Sequence, residues 1–448
     1  MNREERQRLM ATAPIPSLIM KMAIPTIIST LVMSLYNMAD TYFVSGLGTA
    51  ATSAVGINLS LMNFISMFGM PLALGANSYI ARLLGQKRQD KVEEVLSFSF
   101  FSALAIGIVL MLLGLVFLGP IMSILGAKGE VVNLASDYAI PILLASPAIM
   151  GVYILNQTLR SEGSAGLSMI GMLSGVALNL LLDPLLIYSL NLGVSGAAIA
   201  TAISKVASFF VLFLPYVQKK TLVHLSIKNY RVKKDTLVEL LKMGFPTFAR
   251  TALTTLAMTI LNNVASSMGN SILAAVTVSN RIMFFLSSAV LGFAQGYQPV
   301  VGFNWGAGDR ERVNKAFWYA IKASIISTVI LSTLTFIFAT NLMGAFTNND
   351  VEFMEFGVKT LRIQCIVMPS VALVIVVNMT YAGMGFAVGA SLLSIVRQGI
   401  FFIPAILTLP TLFGKTGLAC VQGVADFFSL LFCIPFILYI LKKINGKV

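Results

Sequence analysis

Long apolar segments recur along the whole chain and constrain its fold more than any other feature of the sequence. Twelve can be bounded, at residues 14–43, 52–81, 95–118, 132–158, 165–189, 193–217, 238–265, 271–303, 316–340, 358–384, 387–410 and 416–441. A helix needs about 20 apolar residues to cross a hydrocarbon core, so each segment is long enough for one crossing. Only 11% of the 448 residues are charged, against about a quarter in soluble domains. The sequence predicts an all-α integral membrane protein with twelve transmembrane helices.

The distribution of lysine and arginine predicts how these helices are oriented. The basic residues gather before the first segment, at 82–91, at Arg160, within 218–235, at 310–315 and after the last segment. The intervening loops are nearly free of them. Because basic loops stay on the cytoplasmic side, we expect a multi-pass membrane protein with both termini in the cytoplasm. The same pattern accounts for the formal net charge of +13, so no nucleic-acid partner is expected.

An internal repeat divides the chain into two similar halves. Residues 21–25 (KMAIP) return as residues 242–246 (KMGFP), and residues 85–92 return as 306–313 in the same register. Each half contains six apolar segments, and an even number makes both halves face the same way, related by a pseudo-two-fold axis along the membrane normal. We predict an N-terminal lobe at 1–217, a cytoplasmic linker at 218–235 and a C-terminal lobe at 236–448. Two parallel six-helix lobes are typical of an alternating-access carrier, although a repeat alone also fits a channel or a flippase.

Three aspartates, Asp40, Asp183 and Asp426, lie well inside apolar segments. A carboxylate in the membrane costs at least a few kcal/mol, so each is expected to have a function or a partner. At helical spacing Asp40 shares a face with Tyr36, and Asp183 shares a face with Asn179. Polar neighbours at this spacing indicate a built site and not an accidental charge.

Two carboxyl groups that face each other in a low dielectric do not both ionise easily. One would hold a proton and release it when water or a cation enters, which is a device for coupling an ion gradient to movement. Oxygen ligands also suit Na⁺, so Asp40, Asp183 and Asn179 are candidate Na⁺ ligands and the choice between H⁺ and Na⁺ stays open. The alternative is that each aspartate is structural, for example paired with Lys205.

The two lobes carry different residues at these positions of the repeat. In its register, Asp40, Asn179 and Asp183 correspond to the non-ionisable Leu261, Ile400 and Pro404. Lys205 corresponds to Asp426. This asymmetry favours a specialised ion site in the N-terminal lobe, with a second site in the C-terminal lobe as the weaker alternative. In the C-terminal lobe we expect an Arg397–Asp426 pair, with structural neutralisation favoured over a direct transport role, which leaves Asp426, Arg397 and Lys205 as secondary candidates.

The motifs of common enzymes are absent from the sequence. It has no phosphate-binding Gly-x-x-x-x-Gly-Lys-Ser/Thr loop and no His-Glu-x-x-His, and its one histidine, His224, falls in the polar linker. We therefore expect no catalytic activity and no cofactor, and any export has to use an ion gradient.

Several stretches together resemble the multidrug and toxic compound extrusion (MATE) family, in particular its MepA-like and DinF-like bacterial exporters. They are residues 36–40 (YNMAD), 75–85, 160–163 (RSEG), 179–184 and 193–201. The resemblance covers essentially the whole chain and implies two lobes of six helices around a V-shaped cavity, with organic cations exchanged for H⁺ or Na⁺. It also implies an ion site at Tyr36, Asp40, Asn156, Asn179, Asp183 and Thr201. Some relatives use an acidic residue early in the seventh segment instead, but residues 244–263 contain none.

The sequence and the resemblance thus predict a multidrug efflux antiporter of the bacterial plasma membrane that exports xenobiotics, including antibiotics. Its expected partners are small organic cations or drugs and the membrane lipid, and the expected state is a monomer. A flippase for lipid-linked precursors is the main alternative, supported by Arg250, Arg281 and Arg397 inside apolar segments. A carrier of the major facilitator kind is disfavoured because residues 85–90 match its loop signature poorly, and an intramembrane protease does not explain the repeat.

Overall fold

The computed structural model describes the backbone of residues 3–45, 49–127, 129, 131–347 and 350–446. Side chains are described for the same residues except 3, 4, 6, 7, 37–45, 49, 50 and 52. Within this part of the chain every element of secondary structure is helical.

Ten long helices come first: α1 (Ile15–Ser45), α2 (Thr49–Gly85), α3 (Gln89–Val116), α4 (Val131–Ser161), α5 (Ala165–Pro184), α6 (Gly193–Val217), α7 (Lys234–Met268), α8 (Asn270–Gly306), α9 (Arg310–Ile337) and α10 (Val351–Met384). The chain then continues as Ala387–Ile395, a π-helical turn at Val396–Phe402, and Ile403–Ile444. A second π-helical turn, Leu185–Ser189, follows α5. Short helices at Arg3–Thr12, Leu118–Ile124, Ile227–Asn229 and Ala339–Gly344 complete the described structure.

The last run of helix contains two membrane crossings. The apolar stretch Ala387–Ile444 has 58 residues, about 87 Å at 1.5 Å per residue, which is nearly three times the thickness of a hydrocarbon core. Gly414 interrupts it with φ 55° and ψ −135°, a left-handed conformation that glycine adopts without strain. The residues before Gly414 complete α11, and those after it form α12. The predicted all-α fold with twelve transmembrane helices is confirmed.

The two lobes are built from the same helix contacts. In the N-terminal lobe α2 packs on α4, α4 on α6 and α1 on α5, and in the C-terminal lobe α8 packs on α10, α10 on α12 and α7 on α11. The contacts between the lobes also form an equivalent pair. α1 packs on α8, and the counterpart of α1, which is α7, packs on α2, the counterpart of α8. A two-fold relation between the lobes requires such equivalent contacts, and the sequence repeat predicted that relation.

Glycines bring the backbones of the two lobes together at one end of the bundle. We define the basic end as the end where α2 passes into α3 and α8 passes into α9. There a Cβ atom added to Gly85 would collide with the carbonyl oxygen of Phe303, and one added to Gly306 would collide with that of Arg82. Phe303 and Arg82 occupy equivalent positions in the repeat. Close backbone contact at the basic end is therefore a symmetric feature of the fold.

The linker at 218–235 packs on the N-terminal lobe. Leu222 and Val223 are buried in the lobe's hydrophobic core. The backbone N–H of Leu222 donates to Oε2 of the buried Glu162 at 2.7 Å. Lys233 forms an ion pair with Glu94 of α3 at 2.7 Å. The linker thus continues the N-terminal lobe up to the start of α7.

Candidate ion site and comparison with known proteins

Asp183 lies in the last turn of α5 and has no exposed surface. The next residue, Pro184, has no N–H and cannot continue the regular hydrogen-bond pattern of the helix. The chain enters the π-helical turn Leu185–Ser189, where the N–H of Leu190 reaches the carbonyl oxygen of Leu185 at 2.9 Å. Turns of this kind inside α-helices are often found at functional sites. The local sequence therefore places a buried carboxyl group beside an irregular backbone.

Asn179 connects Asp183 to the neighbouring helix. Its Nδ2 donates to Asp183 Oδ1 at 3.3 Å and to Thr201 Oγ1 of α6 at 3.4 Å. Both distances are longer than an ordinary N–H···O bond, so these contacts are weak. The other amide atom, Oδ1 of Asn179, is buried and has no hydrogen-bond partner among the described residues. A buried acceptor left without a donor costs about 1–3 kcal/mol, which a bound cation or proton donor would recover.

A small cavity of about 10 Å³ lies beside these groups, enclosed by α1, α4, α5 and α6. Its polar wall includes Tyr36, Asn179, Thr201 and Lys205. A volume of this size holds about one water molecule. Tyr36 is only 8% exposed. Four side chains chosen from the sequence thus meet at one buried space, and Lys205 adds a positive charge to it.

Small residues allow α5 and α6 to approach closely enough to form the site. Gly171 and Gly175 are four residues apart and share one face of α5. A Cβ on Gly175 would lie 2.9 Å from the carbonyl oxygen of Ser204, and one on Gly171 would collide with the side chain of Leu212. Small residues at this spacing are typical of tightly packed membrane helices. The close packing brings Thr201 to Asn179.

The C-terminal lobe holds its buried aspartate in a different way. Arg397, in the π-helical turn of α11, donates from Nε to Asp426 Oδ1 of α12 at 2.7 Å. Gln422 donates to Asp426 Oδ2 at 2.9 Å. Both carboxylate oxygens therefore have partners, and the predicted Arg397–Asp426 pair is confirmed. The arrangement neutralises the charge of Asp426 with a fixed cation.

The profile of the MatE family matches the chain twice, at residues 25–185 and at residues 246–408. The two matches begin as far apart as the repeated lysines Lys21 and Lys242. Together they cover well over half of the sequence. This chain belongs to the MatE family.

Similar proteins cover the chain almost from end to end. The multidrug export protein MepA of Staphylococcus aureus strain MRSA252 is 30% identical over 418 residues, which is 93% of this chain and 92% of that protein. MepA of Staphylococcus saprophyticus is 30% identical over 404 residues, 89% of this chain and 88% of that protein.

Solved structures of related transporters have the same fold. One is a multidrug resistance MATE family transporter of the MOP superfamily in an outward-facing conformation, with a TM-score of 0.91 and 26% identity over 98% of this chain and 97% of that one. Another is a MOP superfamily transporter from Pyrococcus furiosus, with a TM-score of 0.90 and 26% identity over 98% of both chains. For that protein a reversed polarity of the binding pocket has been taken to suggest a different function.

One of the ion-site residues predicted from the MATE resemblance, Asn156, lies away from the group at Asp183. Asp40 belongs to α1, but its side chain is outside the described residues. Asn156 accepts a hydrogen bond from Ser168 at 2.7 Å. Ser168 precedes Asn179 in α5 by eleven residues, roughly 16 Å of helix. Asn156 thus lies toward the basic end.

The C-terminal lobe repeats the contact that Asn156 makes. Asn378 donates to the carbonyl oxygen of Ala390 at 2.7 Å, and Ala390 follows Asn378 by the same number of residues as Ser168 follows Asn156. Each asparagine therefore ties the fourth helix of its lobe to the start of the fifth. A contact common to both halves of a MatE protein favours a structural role for Asn156.

Sequence reasoning missed a set of polar contacts between the lobes at the basic end. Arg160 donates to Gln295 of α8 at 2.5 Å, and Arg82 forms an ion pair with Glu239 of α7 at 2.7 Å. Ser78 donates to the carbonyl oxygen of Ala382. Arg82 and Glu239 lie near the ends of apolar segments, where charged residues are common. Their role in joining the lobes is therefore seen only from the ion pair in the structure.

Proposed function

We propose that this MatE protein is a secondary active multidrug efflux transporter that exchanges lipophilic or cationic small molecules for H⁺ or Na⁺. The names of its relatives support export, since the MepA proteins are multidrug export proteins. The observation that carries the proposal is the fully buried Asp183, joined through Asn179 to Thr201 beside a cavity that takes one small particle. A buried carboxyl group next to unsatisfied oxygen is suited to bind and release a small cation.

The proposal assigns the basic end to the cytoplasm. Lysine and arginine in short loops favour that side of the membrane, so both termini are cytoplasmic. The lobes contact each other there, through Gly85, Gly306 and the Arg82–Glu239 pair. In this assignment the structure is closed to the cytoplasm, and the likeness to an outward-facing transporter supports it.

Coupling follows from the position of the ion site at the junction of α1, α5 and α6. An ion bound to Asp183 and Asn179 would draw these helices around the small cavity, and its release would relax them. For exchange, the ion and the drug must each bind one conformation better than the other. The same scheme needs no ATP and no cofactor.

Dye efflux from proteoliposomes tests the proposal. We expect an imposed proton gradient or an imposed Na⁺ gradient to drive export of ethidium, and separate experiments with each gradient identify the ion. Asp183→Asn should abolish the dependence on the gradient. Asp426→Asn, normalised to the amount of folded protein, is the matched control, because that buried aspartate is already paired with Arg397, and its ion dependence should be kept.

Unchanged gradient dependence in Asp183→Asn would refute the ion-site assignment. Absence of ethidium transport under either gradient, together with movement of a labelled lipid between leaflets, would favour a flippase. The pairing of Arg397 with Asp426 weakens the flippase alternative, because that alternative depends on three basic groups and one of them is already neutralised.

A further inference from the structure

A second cavity, lined mainly by apolar and aromatic side chains, lies at the basic end of the C-terminal lobe, far from Asp183. It has a volume of about 690 Å³ and is formed by α7, the junction between α10 and α11, and the end of α12. Its wall includes Glu239, Lys242, Tyr381, Phe386, Leu392 and Tyr439. The volume lies within the range of sites that bind drug-sized molecules. We call this space the aromatic cleft.

The aromatic rings of the cleft form one connected group. Tyr381 stacks on Tyr439 with ring centroids 6.5 Å apart, and Phe386 meets both rings at 6.2 and 6.3 Å. A hydrogen bond from Tyr381 to the carbonyl oxygen of Phe436 at 3.0 Å fixes the group to α12. Faces of aromatic rings attract organic cations. The cleft therefore offers a preformed surface for a flat or quaternary ammonium ion.

Glu239 supplies the negative charge at the wall of the cleft and also belongs to the contact between the lobes. Its Oε1 is bound to Arg82 of the N-terminal lobe at 2.7 Å, and no hydrogen bond to its Oε2 is present among the described residues. The guanidinium of Arg82 reaches past Gly385, where an added Cβ would lie 2.6 Å from Arg82 Cζ. One carboxylate thus faces both the cleft and the opposite lobe.

The internal repeat separates the specialised residues of the cleft from the shared scaffold. Tyr381 and Phe386 correspond to Leu159 and Ser164 in the N-terminal lobe, in a stretch where the two halves run one residue out of step, and Tyr439 corresponds to Gln218. Glu239 corresponds to Leu18, whereas Lys242 corresponds to Lys21. The aromatic rings and the carboxylate are therefore additions to one lobe, while the lysine is common to both. This difference favours a cationic ligand over an anionic one.

We propose that the aromatic cleft binds a hydrophobic organic cation from the basic end, and that its binding loosens the contact between the lobes by competing with Arg82 for Glu239. The choice of ligand rests on the proposed export function. Binding and opening are linked, because a cation that weakens the Arg82–Glu239 pair is itself bound more tightly when the pair is broken. The cleft would load substrate and favour opening of the same end.

Photolabelling of the full-length protein in nanodiscs tests the site directly. The probe is ethidium monoazide, with labelled residues located by mass spectrometry and specificity measured by competition with ethidium. We expect label within residues 381–392 and 435–439. Glu239→Gln should reduce specific labelling about tenfold, and Phe386→Ala about two- to thirtyfold, as the range for a cation over a ring implies.

Removal of a lysine distinguishes a cation from an anion in the cleft. Lys242→Gln should increase ethidium labelling severalfold, because it removes a like charge, while Lys442→Gln, an exposed lysine of α12 outside the cleft wall, should leave it unchanged. Loss of labelling in Lys242→Gln, or competition by phosphatidylglycerol and not by ethidium, would identify an anionic lipid site and overturn the proposal. Label confined to other parts of the chain would overturn it as well.

Spin labels at positions 86 and 442 test the link to the contact between the lobes. Saturating ethidium should lengthen the distance between them in wild type, and Glu239→Gln should remove most of this response. An identical response in both proteins would refute the link. Gradient-driven efflux with no label in the cleft would refute only the proposal that the cleft binds the cation. Label in the cleft without gradient-driven efflux would refute the proposed function.

Discussion

Gly306→Ala should open the basic end of the transporter. In the closed arrangement the three heavy atoms nearest to an added Cβ all belong to the backbone of Arg82, with the carbonyl carbon at 2.8 Å and Cα at 2.9 Å. Ordinary van der Waals contact begins near 3.4 Å, and the carbonyl oxygen lies closer to the added Cβ than the carbonyl carbon does, so α2 and α8 must separate by more than about 1 Å. No side-chain rotation relieves the collision, because backbone atoms cannot turn away.

The cost of this overpacking sets the size of the expected shift. Inserting a methyl group into a well-packed contact costs about 1–3 kcal/mol. A penalty confined to the closed form changes the ratio of open to closed molecules by about 5- to 150-fold, since 1.4 kcal/mol corresponds to a factor of ten. The gain in helix propensity from glycine to alanine is about 0.8–1 kcal/mol, but it applies to both forms and does not change their ratio.

Electron paramagnetic resonance measures the shift directly. The labels are placed at Gln86 and Lys442, which are both exposed at the basic end, in a protein without Cys365, Cys420 and Cys433. Gly306→Ala should populate longer distances than wild type. Gly166→Ala in the first turn of α5 is the matched control, because an added Cβ there meets nothing within 4 Å. Equal distance distributions in the two variants would show that the glycine contact does not hold the lobes together.

Three further predictions follow from single contacts. Asp426→Leu should lower the free energy of unfolding by about 3 kcal/mol by leaving Arg397 unpaired, while the double variant with Arg397→Met should recover most of the loss. Thermal unfolding in detergent measures both losses, and equal losses in the two variants would argue against a structural pair. Thr201→Val should weaken ion-driven efflux severalfold and Thr201→Ser should keep it, because only valine lacks the oxygen that accepts a hydrogen bond from Asn179. Efflux measured against ion concentration tests this, and equal curves for the two variants would argue against a role of this oxygen. Glu162→Ala should expose the linker by removing the acceptor of the Leu222 N–H, and faster tryptic cleavage at Lys219 would show it, whereas an unchanged rate would mean that Leu222 and Val223 hold the linker alone.

The fold was accessible from the sequence because the membrane imposes simple rules. Segment length and the repeat predicted the twelve helices and two lobes, since a chain in lipid must satisfy its backbone within helices. The junction of α11 and α12 was also marked in the sequence by a short polar interval containing Gly414. The helix ends were less accessible: the predicted boundary at 238 falls four residues after the start of α7 at Lys234, because the polar first turn of that helix projects beyond the apolar segment.

The candidate site was accessible only in part. Asn179 and Asp183 could be joined from helical spacing alone, because both lie on α5. The contact of Asn179 with Thr201 needed the MATE resemblance, since spacing within one helix says nothing about its neighbours. The same resemblance grouped Asn156 with them, yet Asn156 meets Ser168 near the basic end. The Arg82–Glu239 pair escaped prediction because charges at helix ends usually face water.

The contrast between Lys205 and Asp426 supports the proposal that the N-terminal lobe exchanges the ion. The two residues occupy the same position of the repeat, on α6 and α12. In the C-terminal lobe that position carries the acid, and Arg397 on the neighbouring helix neutralises it at 2.7 Å. In the N-terminal lobe the position carries the base, while the acid Asp183 lies on α5 and is contacted by a neutral amide at 3.3 Å. A strong fixed cation holds a carboxylate in one ionised state, so Asp426 is poorly suited to alternate between states, and this difference supports our proposal that the ion is exchanged in the N-terminal lobe.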